Sequence, residues 1–249
     1  MPETNASAPW VVLATGTIDP KGMRLTARSD PALRLEDYKH ALKLWRASTS
    51  LPFVFCENSG ADLRPLQDAL GADADRIEWL GFTAPDFPEQ RGKGYGEALI
   101  LRHALDHSKL IGEETRLFKT TGRLFVRNFP RIEEALRQSA PDVACDLNPM
   151  TLQDSDCRLF SASKPFMRDY LLPEAETMDE LAQPMINFER VLSRAVLKAV
   201  ADGRSWRDLP DTPQYEGFSG TFGHQYRNRR YVLKAGWRRL RHLANHRWW

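Results

Sequence analysis

The sequence predicts an α/β fold with a mostly parallel central sheet flanked by helices. Three observations carry that expectation. Short apolar runs alternate with helix-period segments over residues 10–82, in the order strand, helix, strand, helix, strand. The runs are nearly continuous in apolar residues, as strands covered on both faces require. Polar and glycine-rich stretches collect just after the runs, where open parallel sheets bind ligands.

Taken in order, Trp10-Val11-Val12-Leu13-Ala14-Thr15-Gly16-Thr17-Ile18 reads as a buried strand ending in small and hydroxyl residues. Tyr38, Ala41, Leu42 and Trp45 recur at helical spacing between Asp37 and Ala47. Leu51 to Cys56 is a second strand, ended by Glu57-Asn58-Ser59-Gly60; Leu63 to Leu70 is a short helix and Ile77 to Phe82 a third strand. A loop from Pro85 then leads into Arg91-Gly92-Lys93-Gly94-Tyr95-Gly96, and a helix is expected from Glu97 to Leu110. Thr115 to Val126 reads as one further strand with basic groups along it, and Pro130 to Ser139 as a helix. Asp142 to Leu147 and Cys157 to Ala162 are strand candidates; Lys164 to Leu172 and Leu181 to Val200 read as helices. A Pro- and Gly-rich loop follows from Leu209 to Gly223.

Composition limits the function classes. The 249 residues suit one sizeable domain with a short appendage, and 35 basic against 33 acidic residues leave a net charge of only +2. That balance argues against a dedicated nucleic-acid binder. Cys56, Cys145 and Cys157 form no C-x-x-C pair, which points away from zinc and towards reduced thiols of a cytoplasmic protein. The N-terminus lacks the pattern of a signal peptide, and no apolar run is long enough to span a bilayer.

The chemistry concentrates in four places. Glycines that admit close backbone approach, the unpaired N–H groups of a helix start and Lys93 together suit a phosphate or diphosphate. Lys93, Gly94, Tyr95 and Gly96 are therefore candidate binding residues, with Thr15 at the end of the first strand. Glu57 and Asn58, after the second strand, could hold a ribose or base by hydrogen bonds; Glu57 equally suits a cap on the next segment. Lys119 and Arg123 could neutralise a diphosphate leaving group, or be surface charges on an edge strand. The glycine stretch is neither a P-loop nor a dinucleotide fingerprint, and no G-x-S-x-G nucleophile elbow occurs.

The succession Val12-Leu13-Ala14-Thr15, Phe55-Cys56-Glu57-Asn58-Ser59, Lys93-Gly94-Tyr95-Gly96-Glu97 and Phe118-Lys119-Thr120-Thr121-Gly122-Arg123 resembles bacterial surface-polysaccharide glycosyltransferases of the GT-A type. The resemblance covers residues 10–225. It implies a Rossmann-like sheet, a nucleotide-sugar donor and a glycan or lipid-linked acceptor, in the synthesis of lipopolysaccharide or capsule. It also implies an Asp-x-Asp metal motif near Lys119 to Arg123, which this chain lacks. Asp154-Ser155-Asp156 has that form later in the chain and is a candidate for Mn²⁺ or Mg²⁺, with a turn or helix cap as its plain alternative. Without a metal, Lys93, Lys119 and Arg123 would supply the positive charge, and this metal-independent version is preferred.

Sugar transfer with inversion needs a base for the acceptor hydroxyl. Glu189, in Asn187-Phe188-Glu189-Arg190, is the first candidate and Asp156 the second. Residues 217–223 suit a lid over the donor. Residues 1–225 would form the catalytic unit and 226–249 a basic aromatic tail. Between Arg227 and Trp249 lie eight Arg or Lys residues and no acid, with Leu233, Trp237, Leu240, Ala244 and Trp248 on one helical stripe. Such a tail suits the anionic inner face of a cell membrane, or a helix docked on the catalytic unit. Two rival functions stay open: a sugar nucleotidyltransferase, and a non-catalytic α/β protein associated with membrane or nucleic acid.

Overall fold

The computed structural model describes residues 8–24 and 26–226. The basic aromatic stripe of residues 227–249 lies outside them.

Among the described residues seven strands form the main sheet, in the order β3-β2-β1-β4-β7-β6-β8. These are β1 (Trp10–Gly16), β2 (Phe53–Glu57), β3 (Ile77–Gly81), β4 (Arg116–Thr121), β6 (Val143–Leu147), β7 (Ser155–Ser163) and β8 (Trp206–Arg207). The pairs β3–β2, β2–β1, β1–β4 and β6–β8 are parallel. Strand β7 runs against both its neighbours, β4 and β6. A separate antiparallel ribbon joins β5 (Phe125–Val126) to β9 (Tyr215–Glu216).

Alternation along β1 explains the layers. Val11 and Leu13 enter one buried cluster, and Trp10, Val12 and Ala14 the other. Helices α1 (Pro31–Ser48), α2 (Arg64–Leu70) and α4 (Phe129–Ser139) cover the second face. The first face is covered by α3 (Gly92–His107), a run comprising α5 (Lys164–Phe166), a π-helical turn (Met167–Leu171) and α6 (Leu172–Ala175), and α7 (Phe188–Ala201). Trp45 of α1 anchors the second layer: its ring meets Phe125 and Phe129 edge-on, and its Nε1 donates to the Leu124 carbonyl at 2.8 Å. Helix α1 begins at Asp30, whose side chain accepts from the Ala32 and Leu33 amides. Replacing Asp30 by Ala should cost about 1 kcal/mol in urea unfolding, the usual value of such a cap.

Several expected boundaries move. Helix α3 begins at Gly92, so the glycine stretch is helix, not loop. Gly92 enters with φ 64°, and Gly94 lets the first turn pack tightly on Phe188. A Cβ on Gly94 would lie 3.0 Å from Phe188 Cβ, and one on Gly96 3.5 Å from the Asn58 side chain. Gly94 thus serves helix packing. The strand expected through Val126 breaks after Thr121, where Gly122 turns so close that a Cβ would meet the Thr15 carbonyl at 2.8 Å. The helix expected from Leu181 starts only at Phe188, because Asn187 caps it and residues Asp179 and Ile186 bridge a preceding loop. Asp156, expected before a strand, lies within β7, and part of the 209–223 loop is β9.

Candidate functional site

A cleft of about 1150 Å³ opens beyond the carboxyl ends of β1, β2 and β4 and extends over β6 and β7. This is where a parallel sheet leaves unoccupied space between diverging loops. Thr15, Asn58, Lys93, Gly94, Gly96, Arg123, Asp154, Asp156 and Glu189 line it; Glu57, Tyr95 and Lys119 do not.

The three residues outside the lining have other work. Glu57 is fully buried: Oε1 accepts from the Ile18 amide at 2.7 Å and Oε2 from the Ser59 amide at 3.0 Å. It ties the loop after β1 to the end of β2 and has no oxygen facing the cleft. The expected ribose or base contact therefore gives way to the capping role. Tyr95 lies on the far side of α3, its hydroxyl donating to Glu176 Oε2 at 3.0 Å and its ring beneath the Arg91 guanidinium. Lys119 is sealed under the cleft floor, because β4 alternation points it at α3. Its Nζ donates to the Cys157 carbonyl at 2.7 Å, forms an ion pair with Glu97, and sits near the rings of Phe160 and Phe188. A diphosphate cannot reach it.

Asn58 and Thr15 form the wall at the ends of β1 and β2. Asn58 accepts from Thr17 Oγ1 at 2.7 Å and donates to the Gly96 carbonyl at 3.2 Å. Thr15 Oγ1 donates to Glu97 Oε1 at 3.0 Å. Glu97 is a cleft residue that the sequence reading missed. Its signal was present: it stands one turn after Lys93, on the same helical face.

Lys93 and Arg123 bring positive charge to the cleft. Lys93 Nζ meets Thr221 Oγ1, and Arg123 Nε donates to the Phe218 carbonyl at 3.3 Å. Both partners belong to the segment 217–223, which folds over the cleft with Ser219, Gly220, Thr221 and Phe222 in its lining. Gly220 lies against the Arg123 guanidinium, which would have to shift to admit a Cβ there. The α3 N-terminus itself faces a carboxylate of this chain: Gly94 N–H points at Glu180 Oε1, 3.5 Å away.

Glu189 lines the same cleft from the first turn of α7. Burial pushes its carboxyl above the ordinary value of 4.5, with the Glu97 charge adding; its own backbone amide, the Cys157 thiol and Lys93 partly oppose the shift. The Cys157 thiol donates to Glu189 Oε1 at 3.5 Å, and burial holds that thiol well above its usual range. Asp156 is engaged differently. Arg158, two residues along β7 on the same face, grips it with Nε at 2.8 Å from Oδ1 and Nη2 at 2.5 Å from Oδ2. The Arg158 guanidinium is stacked on Tyr215, 4.2 Å from the ring centre, and near Tyr226.

Asp156 thus has both oxygens committed to a cation, which suits neither a metal ligand nor a base. Among the described residues no group of three or more His, Cys, Asp or Glu side chains is arranged to hold a metal. The Asp154–Asp156 pair as it stands does not fit Mn²⁺ or Mg²⁺. Nor is any helix among the described residues long and apolar enough to cross a membrane.

No family model matches the chain, and no curated protein matches it. Solved structures do resemble it. A protein described as a nucleotide-diphospho-sugar transferase of Desulfovibrio desulfuricans is 14% identical, covering 80% of this chain and 79% of its own, with TM-score 0.49. HddC from Yersinia pseudotuberculosis is 10% identical, over 92% of this chain and 97% of its own, with TM-score 0.48. The nucleoside-diphosphate-sugar pyrophosphorylase of Vibrio cholerae is 13% identical, over 80% and 90% of the two chains, also at 0.48.

Proposed function

We propose that the protein is a glycosyltransferase that moves a sugar from a nucleotide-sugar donor to a hydroxyl of a glycan or lipid-linked acceptor. One observation carries the reading: two cations, Lys93 and Arg123, and Glu189, a carboxyl of raised proton affinity, line the same cleft. Two cations suit a diphosphate, and Arg can hold it through paired hydrogen bonds. Glu189 suits removal of a proton from the acceptor hydroxyl. The acceptor oxygen then attacks the anomeric carbon, the bond to the diphosphate breaks, and the electron pair leaves with the nucleotide. Lys93 and Arg123 stabilise that departing charge without a metal.

Thr15 and Asn58 shape the nucleotide side of the cleft. The segment 217–223 excludes water from the donor, since it already touches both cations. Exposed Met150, Met185 and Phe222 line the cleft mouth from three separate segments, which suits an acceptor with an apolar portion. A sugar nucleotidyltransferase would use the same cleft on a nucleoside triphosphate and a sugar phosphate.

The test is a screen of nucleotide sugars for transfer and slow hydrolysis, run beside nucleoside triphosphates with sugar 1-phosphates. Nucleoside diphosphate release supports transfer; diphosphate release from the triphosphate arm would replace it by the nucleotidyltransferase reading. Lys93→Ala should weaken nucleoside diphosphate binding about tenfold or more, the usual loss for one charged hydrogen bond to phosphate. Unchanged calorimetric affinity in that variant would remove Lys93 from the diphosphate site.

A further inference from the structure

Glu97 lines the cleft with one of its oxygens tied down. Oε1 takes the Thr15 hydroxyl at 3.0 Å and the Lys119 ammonium, while no hydrogen bond to Oε2 is found among the described residues. The side chain is 21% exposed, and that exposure is to the cleft. The arrangement is built: a wholly buried lysine, itself fixed by the Cys157 carbonyl and by the faces of Phe160 and Phe188, holds the carboxylate from below. A carboxylate can only accept hydrogen bonds.

Position restricts what it accepts. Lys93 and Glu97 are four residues apart on α3 and so neighbours on one face. Glu189 lines the same cleft, close enough for the Glu97 charge to influence its proton affinity. The space between the diphosphate cation and the base is the space a transferred sugar must occupy. We infer that Glu97 is the residue that recognises the donor's sugar, its free oxygen accepting from hydroxyl groups of the transferred ring. This rests on the nucleotide-sugar reading of the cleft. The apparent strand-end lysine, Lys119, is then a positioning residue that acts through Glu97.

The measurement is calorimetric binding of UDP, GDP and dTDP and of their common sugar conjugates to wild type and Glu97→Gln. A glutamine keeps the size of the side chain but replaces an acceptor oxygen by a donor. Expected is a loss of about tenfold or more in affinity for the sugar conjugate, with less than a twofold change for the matching free nucleotide. Since the single variant leaves Lys119 buried without its counter-ion, the double variant Glu97→Gln/Lys119→Met is measured alongside, with both charges removed together. It should show the same selective loss with a melting temperature near wild type. Equal loss for nucleotide and conjugate, or none for either, would overturn the role of Glu97 while leaving the donor reading intact. Wild type that binds no nucleotide or conjugate would overturn the donor reading itself, and this inference with it.

Discussion

Glu189→Gln should lower kcat by about a thousandfold while leaving donor affinity unchanged, as expected when a positioned general base is lost. The carboxylate must be ionised to accept the acceptor proton. Because burial raises its proton affinity, the acid limb of the wild-type kcat profile should fall at a pH above the ordinary glutamate value of 4.5. The stability consequence has the opposite sign. The folded state holds the Glu189 proton more tightly than the unfolded chain, so its contribution to stability is complete below the unfolded value and is lost as pH rises through the folded one. At neutral pH the buried charge is a cost that glutamine removes. The variant should therefore melt at or above the wild-type temperature at pH 7, with the gap closing on acidification. A variant that keeps kcat within a few-fold, or that melts well below wild type at pH 7, would remove Glu189 from the role of base.

The legible part of this fold is the part where local pattern and tertiary role coincide. Strands β1 and β2 are buried on both faces, so their apolar runs show in the chain itself. Lys93, Arg123 and Glu189 were found as cleft residues because they follow strand ends or open a helix. The glycine stretch misled in structure: alternate glycines suggest a loop, and only the approach of Phe188, far along the chain, shows that Gly94 lets a helix pack closely. In Asp154-Ser155-Asp156 the second carboxylate is paired with Arg158. In a strand, residues two apart share a face, and Arg158 stands two beyond Asp156. That pairing was available from the sequence once the segment was read as strand. The burial of Lys119 was not, since its partners Glu97 and Cys157 come from other elements.

Lys119→Ala separates the two roles that a strand-end lysine can have. As a phosphate ligand it would be dispensable for folding, and its loss would show only in nucleotide affinity. In this structure it is buried, and its removal leaves the Glu97 carboxylate with the Thr15 hydroxyl alone and the Cys157 carbonyl without its donor. Breaking such a pair from one side typically costs about 3–5 kcal/mol, because an uncompensated charge stays behind. That is a large share of the roughly 5–15 kcal/mol by which a folded chain is stable. For a protein of this size the melting temperature should fall by about 10 °C. Most of that loss should be absent in Glu97→Gln/Lys119→Met, which should melt near wild type, since removing both charges costs far less than removing one. Thermal unfolding followed by circular dichroism decides the matter. A Lys119→Ala variant that melts with wild type but no longer binds nucleoside diphosphate would return this lysine to the donor's phosphates and open the cleft floor to solvent.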